Sequence, residues 1–390
     1  MSYRLGLLSE IELLHRDGAY WTFDLWAKDL EAQVEAIDGL TLFSPVLEQP
    51  RSNWGPLVPL PASIRVVELG RERKVMADEI ARVDVVQIPG NQPWLKAGRS
   101  RTFLRLAHAR RKPVVLGLSS DRARTQLINA AGHGLRKLRA WGRYAGIRLS
   151  QDWLASRADG VFVVGEGLRK RAESRNERVL VSTASWIRAE TMAQHAPPRA
   201  GAEAGTVRLC VAARLEPMKG MHVALDALAL LVREDPSFDV ALDIAGVGPD
   251  EARLKALVDE LGLQARVRFV GALAYPEPFF QLLRDEDVVL FTNLNDEQPR
   301  LIFDAISQGR LIVCPGSLPY RALGIPPELL YERGDARALA DCILRASARR
   351  ADPALHAELK SIARGATIEN MHAVRRDWIS ATVLGRPAAA

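Results

Sequence analysis

The chain has 390 residues, of which 48% are apolar and 26% charged, and its formal net charge at pH 7 is +6. This composition is that of a globular protein, and the length fits two domains or one large α/β enzyme. No apolar run reaches the roughly 20 residues of a membrane span, and acids interrupt the N-terminal segment where a signal peptide needs an apolar core. We therefore expect a cytoplasmic protein.

Apolar runs in the first half predict strands separated by turns and helical stretches. They lie at residues 3–8, 39–44, 84–89, 113–118, 160–165 and 178–182. The second half repeats a short β-branched run followed by an amphipathic helix. Its strand candidates lie at 207–212, 240–246, 267–271, 288–293 and 311–316, with helices that begin near Gly220, Asp250, Pro278 and Pro299. Such alternation predicts parallel βαβ units, and hence two doubly wound sheets.

A stretch rich in Ala, Pro and Gly, residues 193–206, has no apolar period and is predicted to be a linker. We therefore divide the chain into an N-terminal domain, 1–198, and a C-terminal domain, 206–367. Residues 368–390 begin with a helical apolar pattern that includes Trp378. That last helix could complete the second domain or return to the first.

Positive charge is concentrated in the first half. Residues 1–200 hold 31 Lys and Arg against 21 Asp and Glu, while 201–390 hold 22 against 26. Between Arg99 and Arg148 there are 13 basic residues and one acid. This asymmetry favours a polyanionic or membrane-surface partner, with a solvated basic face as the alternative. The sequence has no nucleic-acid motif and no interleaved aromatic platform, so we expect no nucleic-acid partner.

The segment 135–149 within this basic region projects as a helix with an apolar stripe of Leu, Trp and Ala and basic residues around it. A helix lying on an anionic bilayer has this pattern. A helix that packs its stripe into the core and turns its basic face outward has the same pattern.

Two segments of the second half follow strands and precede helices, as ligand-binding loops of open α/β sheets do. "ARLEPMKG", residues 213–220, places the cations Arg214 and Lys219 before a helix N-terminus, which is a suitable phosphate site. "IAGVGPD", residues 244–250, offers Gly246 without a full dinucleotide fingerprint, so a tight turn is its simpler interpretation.

The segment "DEQPRLIFDA", residues 296–305, has one acid before a proline and another in an apolar run. On a helical wheel Asp304 falls away from the centre of the apolar stripe, and Pro299 suits the first helical turn. Local geometry therefore favours two helix-associated acids, Asp296 and Asp304, without a ligand. The cysteines lack CxxC spacing and the acidic run 285–287 directly precedes a strand, so we expect neither a disulfide framework nor a metal site.

In order and spacing, these three motifs resemble the donor-binding half of retaining glycosyltransferases of the GT-B fold, family 4, over about residues 206–345. The resemblance implies two Rossmann-like domains that face a cleft, with a C-terminal helix that crosses back to the N-terminal domain. It also implies transfer of a sugar from a UDP-sugar or GDP-sugar, with no metal and no other cofactor. In the family an Arg and a Lys neutralise the donor diphosphate, and these match Arg214 and Lys219.

The paired glutamates of the family match Asp296, for donor sugar hydroxyls, and Asp304, for the ribose diol. Both are one methylene shorter here, and relatives have Gly and an aromatic residue where this chain has Glu297 and Gln298. In the first half, Gly18 stands where the family has a glycine-rich loop near the donor phosphate. Ser119 stands where many relatives have a catalytic histidine. These departures keep two alternatives open: a degenerate protein that binds without catalysis, and a sugar-nucleotide epimerase.

For the acceptor, the resemblance implies a saccharide or lipid-linked saccharide, in surface polysaccharide or glycoconjugate synthesis. If the segment 135–149 contacts a membrane, the enzyme would be peripheral at the inner membrane face and its acceptor lipid-linked.

Overall fold

A computed structural model describes most of the chain. The described residues are 2–49, 56–70, 72–130, 134–194 and 205–386. They form two compact units. Unit 1 comprises Met1–Leu127, Lys137–Ala184 and Ile368–Ala390, and unit 2 comprises Ile128–Arg136 and Ser185–Thr367. Most of the predicted linker, 195–204, lies outside the described residues. Residues 185–194 belong to unit 2 because Ile187 and Met192 are buried in its core.

Unit 1 is built on short strands that bury apolar side chains. In chain order its strands are β1 (Arg4–Leu8), β2 (Leu13–Arg16), β3 (Ala19–Phe23), β4 (Gly39–Ser44), β5 (Val46–Leu47), β6 (Leu57–Pro59), β7 (Arg65–Glu68), β8 (Val85–Pro89), β9 (Val114–Leu118), β10 (Gly160–Val164) and β11 (Val179–Ser182). Seven of them form a parallel sheet in the order β11-β10-β9-β8-β1-β4-β7. The strand order reverses between β1 and β8, which is where a doubly wound sheet has its ligand-binding crevice.

Four other strands of unit 1 form a small sheet in the order β5-β2-β3-β6, which the apolar runs did not predict. Its hairpin β2-β3 turns at two residues with positive φ, Asp17 at 50° and Gly18 at 73°. An Asp-Gly pair is the sequence signal for such a tight turn. It could have revealed the hairpin, because "LLHR" and "AYWTF" flank it directly.

Helices cover both faces of the large sheet of unit 1. They are α1 (Asp24–Ala36), α2 (Arg73–Ala81), α3 (Gly98–Ala109), α4 (Arg122–Ile128), α5 (Leu135–Ala155), α6 (Arg169–Glu173) and the C-terminal α15 (Ile368–Trp378). The last residue of α4 and the first two of α5 fall within the unit 2 range Ile128–Arg136.

Unit 2 has one six-stranded parallel sheet with the order β14-β13-β12-β15-β16-β17. Its strands are β12 (Val207–Ala212), β13 (Val240–Ala245), β14 (Val267–Gly271), β15 (Val288–Leu290), β16 (Leu311–Pro315) and β17 (Leu330–Tyr331). Its helices are α7 (Ala189–Gln194), α8 (Met221–Glu234), α9 (Glu251–Glu260), α10 (Glu277–Asp285), α11 (Leu301–Ser307), α12 (Leu318–Ala322), α13 (Ala336–Ala348) and α14 (Pro353–Ala363). The order reverses between β12 and β15. The prediction of two doubly wound Rossmann-like domains is confirmed.

The C-terminal helix returns to unit 1, as the resemblance implied. α15 packs against α1 and β11, and the chain continues as a π-helical segment, Ile379–Val383. Trp378 lies against Gly160 at the start of β10, where an added Cβ would lie 2.7 Å from the indole ring. Arg375 lies over the ring of Phe162, at 4.2 Å from its centroid. Trp378 therefore anchors the returning helix to unit 1.

The helix α5 turns its apolar stripe outward rather than into the core. Leu135, Leu138, Trp141 and Leu149 are 72%, 68%, 51% and 56% exposed. Its buried face is made instead of small and polar residues with a few aliphatic ones, ending in Leu154 and Ala155. The core-packing interpretation of the segment 135–149 is therefore wrong. Within the described residues, no helix combines the length and apolar content needed to cross a bilayer.

Candidate functional site

The loops after β12 and β15 meet at the switch point of the unit 2 sheet. The first loop holds "ARLEPMKG" and the second holds "DEQPR", so motifs that lie far apart in sequence become neighbours. The Leu294 N–H donates to the Met218 carbonyl at 2.9 Å, and the Thr292 hydroxyl donates to the Lys219 carbonyl at 2.6 Å. The cations and acids predicted from the sequence are thereby brought to one edge of one sheet.

A left-handed glycine fixes the first loop. Gly220 has φ +65° and directly precedes α8, and an added Cβ there would lie 2.1 Å from the Thr292 carbonyl oxygen. Only glycine permits both this conformation and this close approach. The contact fixes where the preceding Lys219 leaves the backbone.

Three cations at this edge each pair with a carboxylate. Lys219 Nζ lies 3.4 Å from Glu297 Oε2. Arg214 pairs with Glu216, and Arg333 pairs with Asp296. Of the cationic side chains only that of Arg214 is largely exposed, at 73%. The three cations and their three carboxylates together are close to neutral, and the pairing holds the cations in place. An anion of higher charge could displace the carboxylates from these cations.

Three residues at this edge were not identified from the sequence: Arg333, Glu216 and Asn129. Arg333 follows the short strand β17 within "YERGD", which has no recognisable motif. Asn129 Nδ2 donates to Glu216 Oε2 at 3.1 Å, and Asn129 Oδ1 accepts from the Met218 N–H at 3.0 Å. Asn129 therefore orients the carboxylate that holds Arg214.

Two buried amide groups in the second loop have donors without a partner among the described residues. Asn293 is 5% exposed and Gln298 is 8% exposed, and neither Asn293 Nδ2 nor Gln298 Nε2 has a hydrogen-bond acceptor there. A buried unpaired donor costs about 1 to 3 kcal/mol. A ligand that supplies acceptor oxygens would remove this cost.

Asp304 is buried on α11 rather than lying on an exposed flank of the helix, as the helical wheel predicted. It is 3% exposed, and the Tyr275 hydroxyl donates to its Oδ1 at 3.1 Å. The short helix α11 is buried on all sides, and it begins at Leu301, two residues after Pro299. Burial raises the pKa of Asp304 to about 7, against the hydrogen bond from Tyr275 and the charge of Arg300, which lower it.

The substitution Asp304→Asn is expected to change how stability depends on pH. The folded-state pKa of Asp304, about 7, lies above its ordinary value of 3.8. Its contribution to stability is therefore fully present below pH 4 and lost as pH rises to 7. The free energy of unfolding of the variant minus that of the wild type should rise by up to about 4 kcal/mol between pH 4 and pH 8. Urea unfolding across that range measures this, and a difference independent of pH would contradict it.

Gly246 has a structural role that requires no ligand. Its φ is +132°, and an added Cβ would lie 1.9 Å from the Ala213 carbonyl oxygen. Its N–H donates to the Gly271 carbonyl at 2.7 Å. Gly248 is similar, with an added Cβ 2.3 Å from the Leu215 carbonyl oxygen. The turn after β13 thus supports the loop that carries Arg214, and the Gly246 N–H is already engaged.

In unit 1 the two residues that the family resemblance implied as part of the site, Ser119 and Gly18, lie on different elements. Ser119 is exposed just after β9 and accepts a hydrogen bond from Asn91 Nδ2 at 2.8 Å. Gly18 is at the exposed tip of the β2-β3 hairpin, with no atom within 4 Å of an added Cβ. The turn accounts for this glycine, and the loop that follows β1 is instead Ser9–Glu12.

Part of the chain that includes the site matches a known family model. Residues 206–349 match the model of the family "Glycosyl transferases group 1". A stretch is 29% identical over 138 residues to a D-inositol 3-phosphate glycosyltransferase of Corynebacterium urealyticum. That match covers 33% of this chain and 32% of the relative, so it spans about a third of the curated protein.

Solved structures match the whole chain in fold. A glycosyltransferase from Rickettsia africae aligns over 99% of this chain and 100% of its own, with TM-score 0.65 and 12% identity. The Anabaena protein HepE, solved in complex with UDP and glucose, aligns over 97% and 96%, with TM-score 0.58 and 16% identity. Residues 206–349 therefore match the family "Glycosyl transferases group 1", and the chain as a whole has the GT-B fold of these solved structures.

Proposed function

We propose that this protein transfers a sugar from a nucleotide diphosphate sugar, held by unit 2, to an acceptor. The observation that carries the proposal is the set of three cations, Arg214, Lys219 and Arg333, at the switch point of the unit 2 sheet. They lie within the segment that matches the glycosyltransferase family. The UDP in the HepE structure supports a UDP-sugar, with GDP-sugars as the second class to test.

The diphosphate would exchange with the carboxylates that the cations now hold. In this mechanism Arg214 leaves Glu216 and Lys219 leaves Glu297, and both turn to the phosphate oxygens. Charge builds on the diphosphate as the glycosidic bond breaks, and cations paired with its oxygens stabilise that charge more in the transition state than in the ground state. The two cations then supply the charge that a metal would supply, so we expect transfer to persist in EDTA.

The second loop would hold the rest of the donor. Asp296 accepts hydrogen bonds from sugar hydroxyls, while the unpaired Asn293 and Gln298 amides donate to ligand oxygens. Asp304, buried against Tyr275, would act on the ribose only by giving up that hydrogen bond. We propose retention of anomeric configuration on the resemblance of the motifs to retaining enzymes.

A panel of nucleotide sugars tests this donor site. Thermal shift with UDP-, GDP- and ADP-sugars should raise the apparent stability for one base, because a bound ligand stabilises the folded state by mass action. Uridine, guanosine and adenosine without phosphates are the controls and should give no shift. Equal shifts from nucleosides and nucleotide sugars, or no shift from any nucleotide, would contradict the proposal.

A non-catalytic binding protein is the second candidate, and the pairing of Lys219 with Glu297 favours it. The family that the motifs resemble usually has glycine at the position of Glu297, and this carboxylate competes with the diphosphate for the same ammonium group. Incubation with the bound donor distinguishes the two candidates. Release of nucleoside diphosphate by hydrolysis or transfer identifies an enzyme, and binding without release identifies a binding protein.

We propose further that unit 1 contacts an anionic membrane through α5, in synthesis of a lipid-linked glycoconjugate at the inner face. Leu138, Trp141 and Leu149 are exposed beside Arg139 and Arg143. Burial of each large apolar side chain in a bilayer contributes about 2 kcal/mol.

Co-sedimentation with phosphatidylserine vesicles tests this contact. The double variant Leu138→Ser/Trp141→Ser should lose at least about tenfold in affinity, because two apolar side chains no longer enter the bilayer. Leu318→Ser removes a leucine of unit 2 that is 49% exposed and is the matched control. Equal loss in both proteins would contradict the proposal.

A further inference from the structure

Two cavities lie at the carboxyl edge of the unit 1 sheet, and the smaller one lies at the switch point between β1 and β8. The smaller, of about 390 Å³, is lined by Ser9 and Glu10 after β1, and by Gln92 and Lys96 after β8. The larger, of about 620 Å³, is lined by the same 92–96 loop and by α5. Gln92, Lys96 and Arg122 line both, so the cavities adjoin.

The helix α5 is fastened over this edge by specific contacts. The Trp94 N–H donates to the Gly146 carbonyl at 2.9 Å, and an added Cβ at Gly146 would meet Pro93 and Trp94 at 3.7 Å. Arg148 pairs with Asp121 at 2.8 Å, and both side chains are largely buried. These contacts hold α5, which lines one side of the larger cavity, against the 92–96 loop that lines another.

The walls of the two cavities carry five cations. Lys96, Arg99 and Arg122 line the smaller cavity, and Arg139 and Arg143 belong to the larger one. None of the five forms an ion pair with a carboxylate in the part of the chain that the structure describes. Glu10 is the carboxylate of the smaller cavity. Burial raises its pKa, and the hydrogen bond with Gln92 and the charges of Arg122 and Arg99 oppose that rise.

This charge contrasts with the candidate donor site of unit 2, where each cation already has a carboxylate. Concave sites in which one sign of charge predominates concentrate ligands of the opposite sign, and here five cations face one carboxylate. Guanidinium groups donate in a planar fork that matches phosphate oxygens, and four of the five cations are arginines. Glu10 and Gln92 add groups that can bond sugar hydroxyls.

We propose that the acceptor of this enzyme carries a phosphate or diphosphate group, which binds in these two cavities of unit 1. That the ligand is the acceptor rests on the proposed function. The phosphate-binding site itself does not depend on that function. The phosphate lies among Arg99, Arg122 and Lys96, and hydroxyl groups of the ligand face Glu10. Such a group occurs both on soluble sugar phosphates and on lipid phosphates.

Calorimetry on the full chain tests this site with named probes. Glucose 6-phosphate should bind at least tenfold more tightly than glucose, because the phosphate meets several cations that form no ion pair among the described residues and outnumber the one carboxylate, Glu10. Arg99→Gln/Arg122→Gln should lower that affinity at least tenfold. The matched control is Arg105→Gln, an exposed arginine of α3 outside the cavities, which should change it less than twofold.

A second binding experiment distinguishes a lipid phosphate from a soluble sugar phosphate as the ligand. Binding to phosphatidylcholine vesicles that contain a polyprenyl phosphate is compared with binding to vesicles of phosphatidylcholine alone. If the protein binds the polyprenyl phosphate vesicles more tightly than it binds glucose 6-phosphate, the ligand is a lipid phosphate. Equal binding of glucose and glucose 6-phosphate, together with no preference for the phosphate-bearing vesicles, overturns the proposal. So does an equal loss in Arg105→Gln.

The donor panel remains as an independent measurement on the same proteins. Arg99→Gln/Arg122→Gln should keep the wild-type thermal shift with the nucleotide sugar, which also shows that the variant folds. Phosphate binding without any nucleotide response would overturn the proposed function and leave this site standing. A thermal shift with the nucleotide sugar but no binding of the phosphate probes would overturn this site and leave the proposed function standing.

Discussion

Lys219→Ala is expected to lower sugar transfer by at least about 10²-fold, the cost of removing one preorganised charge from a transition state. The effect has two parts. The ammonium group that would stabilise the leaving diphosphate is lost, and Glu297, which it neutralises at 3.4 Å, is left facing the same phosphate oxygens. Transfer is measured as release of nucleoside diphosphate in the presence of acceptor.

Lys255→Ala is the matched control, because Lys255 pairs with Glu251 one helical turn away on α9, at an exposed position. That substitution should leave transfer within twofold of wild type. Circular dichroism should show both variants folded, since neither side chain belongs to the core of unit 2. Unchanged transfer by Lys219→Ala would refute the assignment of the diphosphate site.

Gly246→Ala is expected to destabilise unit 2 by at least about 3 kcal/mol, since backbone strain and a steric clash add at this position. The new Cβ would lie 1.9 Å from the Ala213 carbonyl oxygen, and φ is +132°, a conformation that is essentially restricted to glycine. The loop that carries Arg214 would have to move. Chemical denaturation measures the loss, and donor binding should weaken with it.

Gly262→Ala separates the clash from the backbone conformation. Gly262 has φ +68° with no atom within 4 Å of an added Cβ, so only the left-handed backbone is penalised. That penalty is about 1 kcal/mol. If the two variants lost equal stability, the packing of the β13 turn against the 213–215 loop would not be what requires glycine at 246.

The doubly wound sheets were predictable because their strands are buried runs with strong β propensity. The run 207–212 is β12 itself and 39–44 is β4 itself, with the other predicted strands within a few residues. The strands of these two sheets that were missed are short or polar at their ends. β7 is "RVVE" and β17 has two residues, so neither shows an apolar run, and their pairing depends on the sheet edge already present.

The candidate site was predictable where motif and strand end coincide. Arg214, Lys219 and Asp296 could be placed at the carboxyl edge because each follows a predicted strand of one parallel sheet. Their pairing could not, since it depends on which carboxylates the fold brings near. Glu216 is two residues from Arg214, whereas Arg333 reaches Asp296 from another loop. Asp304 was placed on a flank because a helical wheel does not show that the whole short helix is enclosed.

The pattern of apolar and basic residues in 135–149 could not show whether the apolar stripe of α5 packs into the core or is exposed. Burial of the stripe and its exposure produce the same sequence pattern. The packing decides, since Gly146 allows close approach to Pro93 and Trp94, while Ile147 and Leu154 enter the core. The apolar stripe lies on another side of the helix.

The return of α15 to unit 1 has a consequence for biosynthesis. Apart from Ile128–Arg136, unit 2 is one continuous segment, Ser185–Thr367, whereas unit 1 needs Ile368 onward to cover α1 and β10. As a ribosome releases the chain from its N-terminus, unit 2 can complete its core first. The sheet of unit 1 must wait, with Phe162 and Gly160 uncovered, until Arg375 and Trp378 emerge. Nascent unit 1 is therefore the part of the chain most exposed to chaperones and to aggregation.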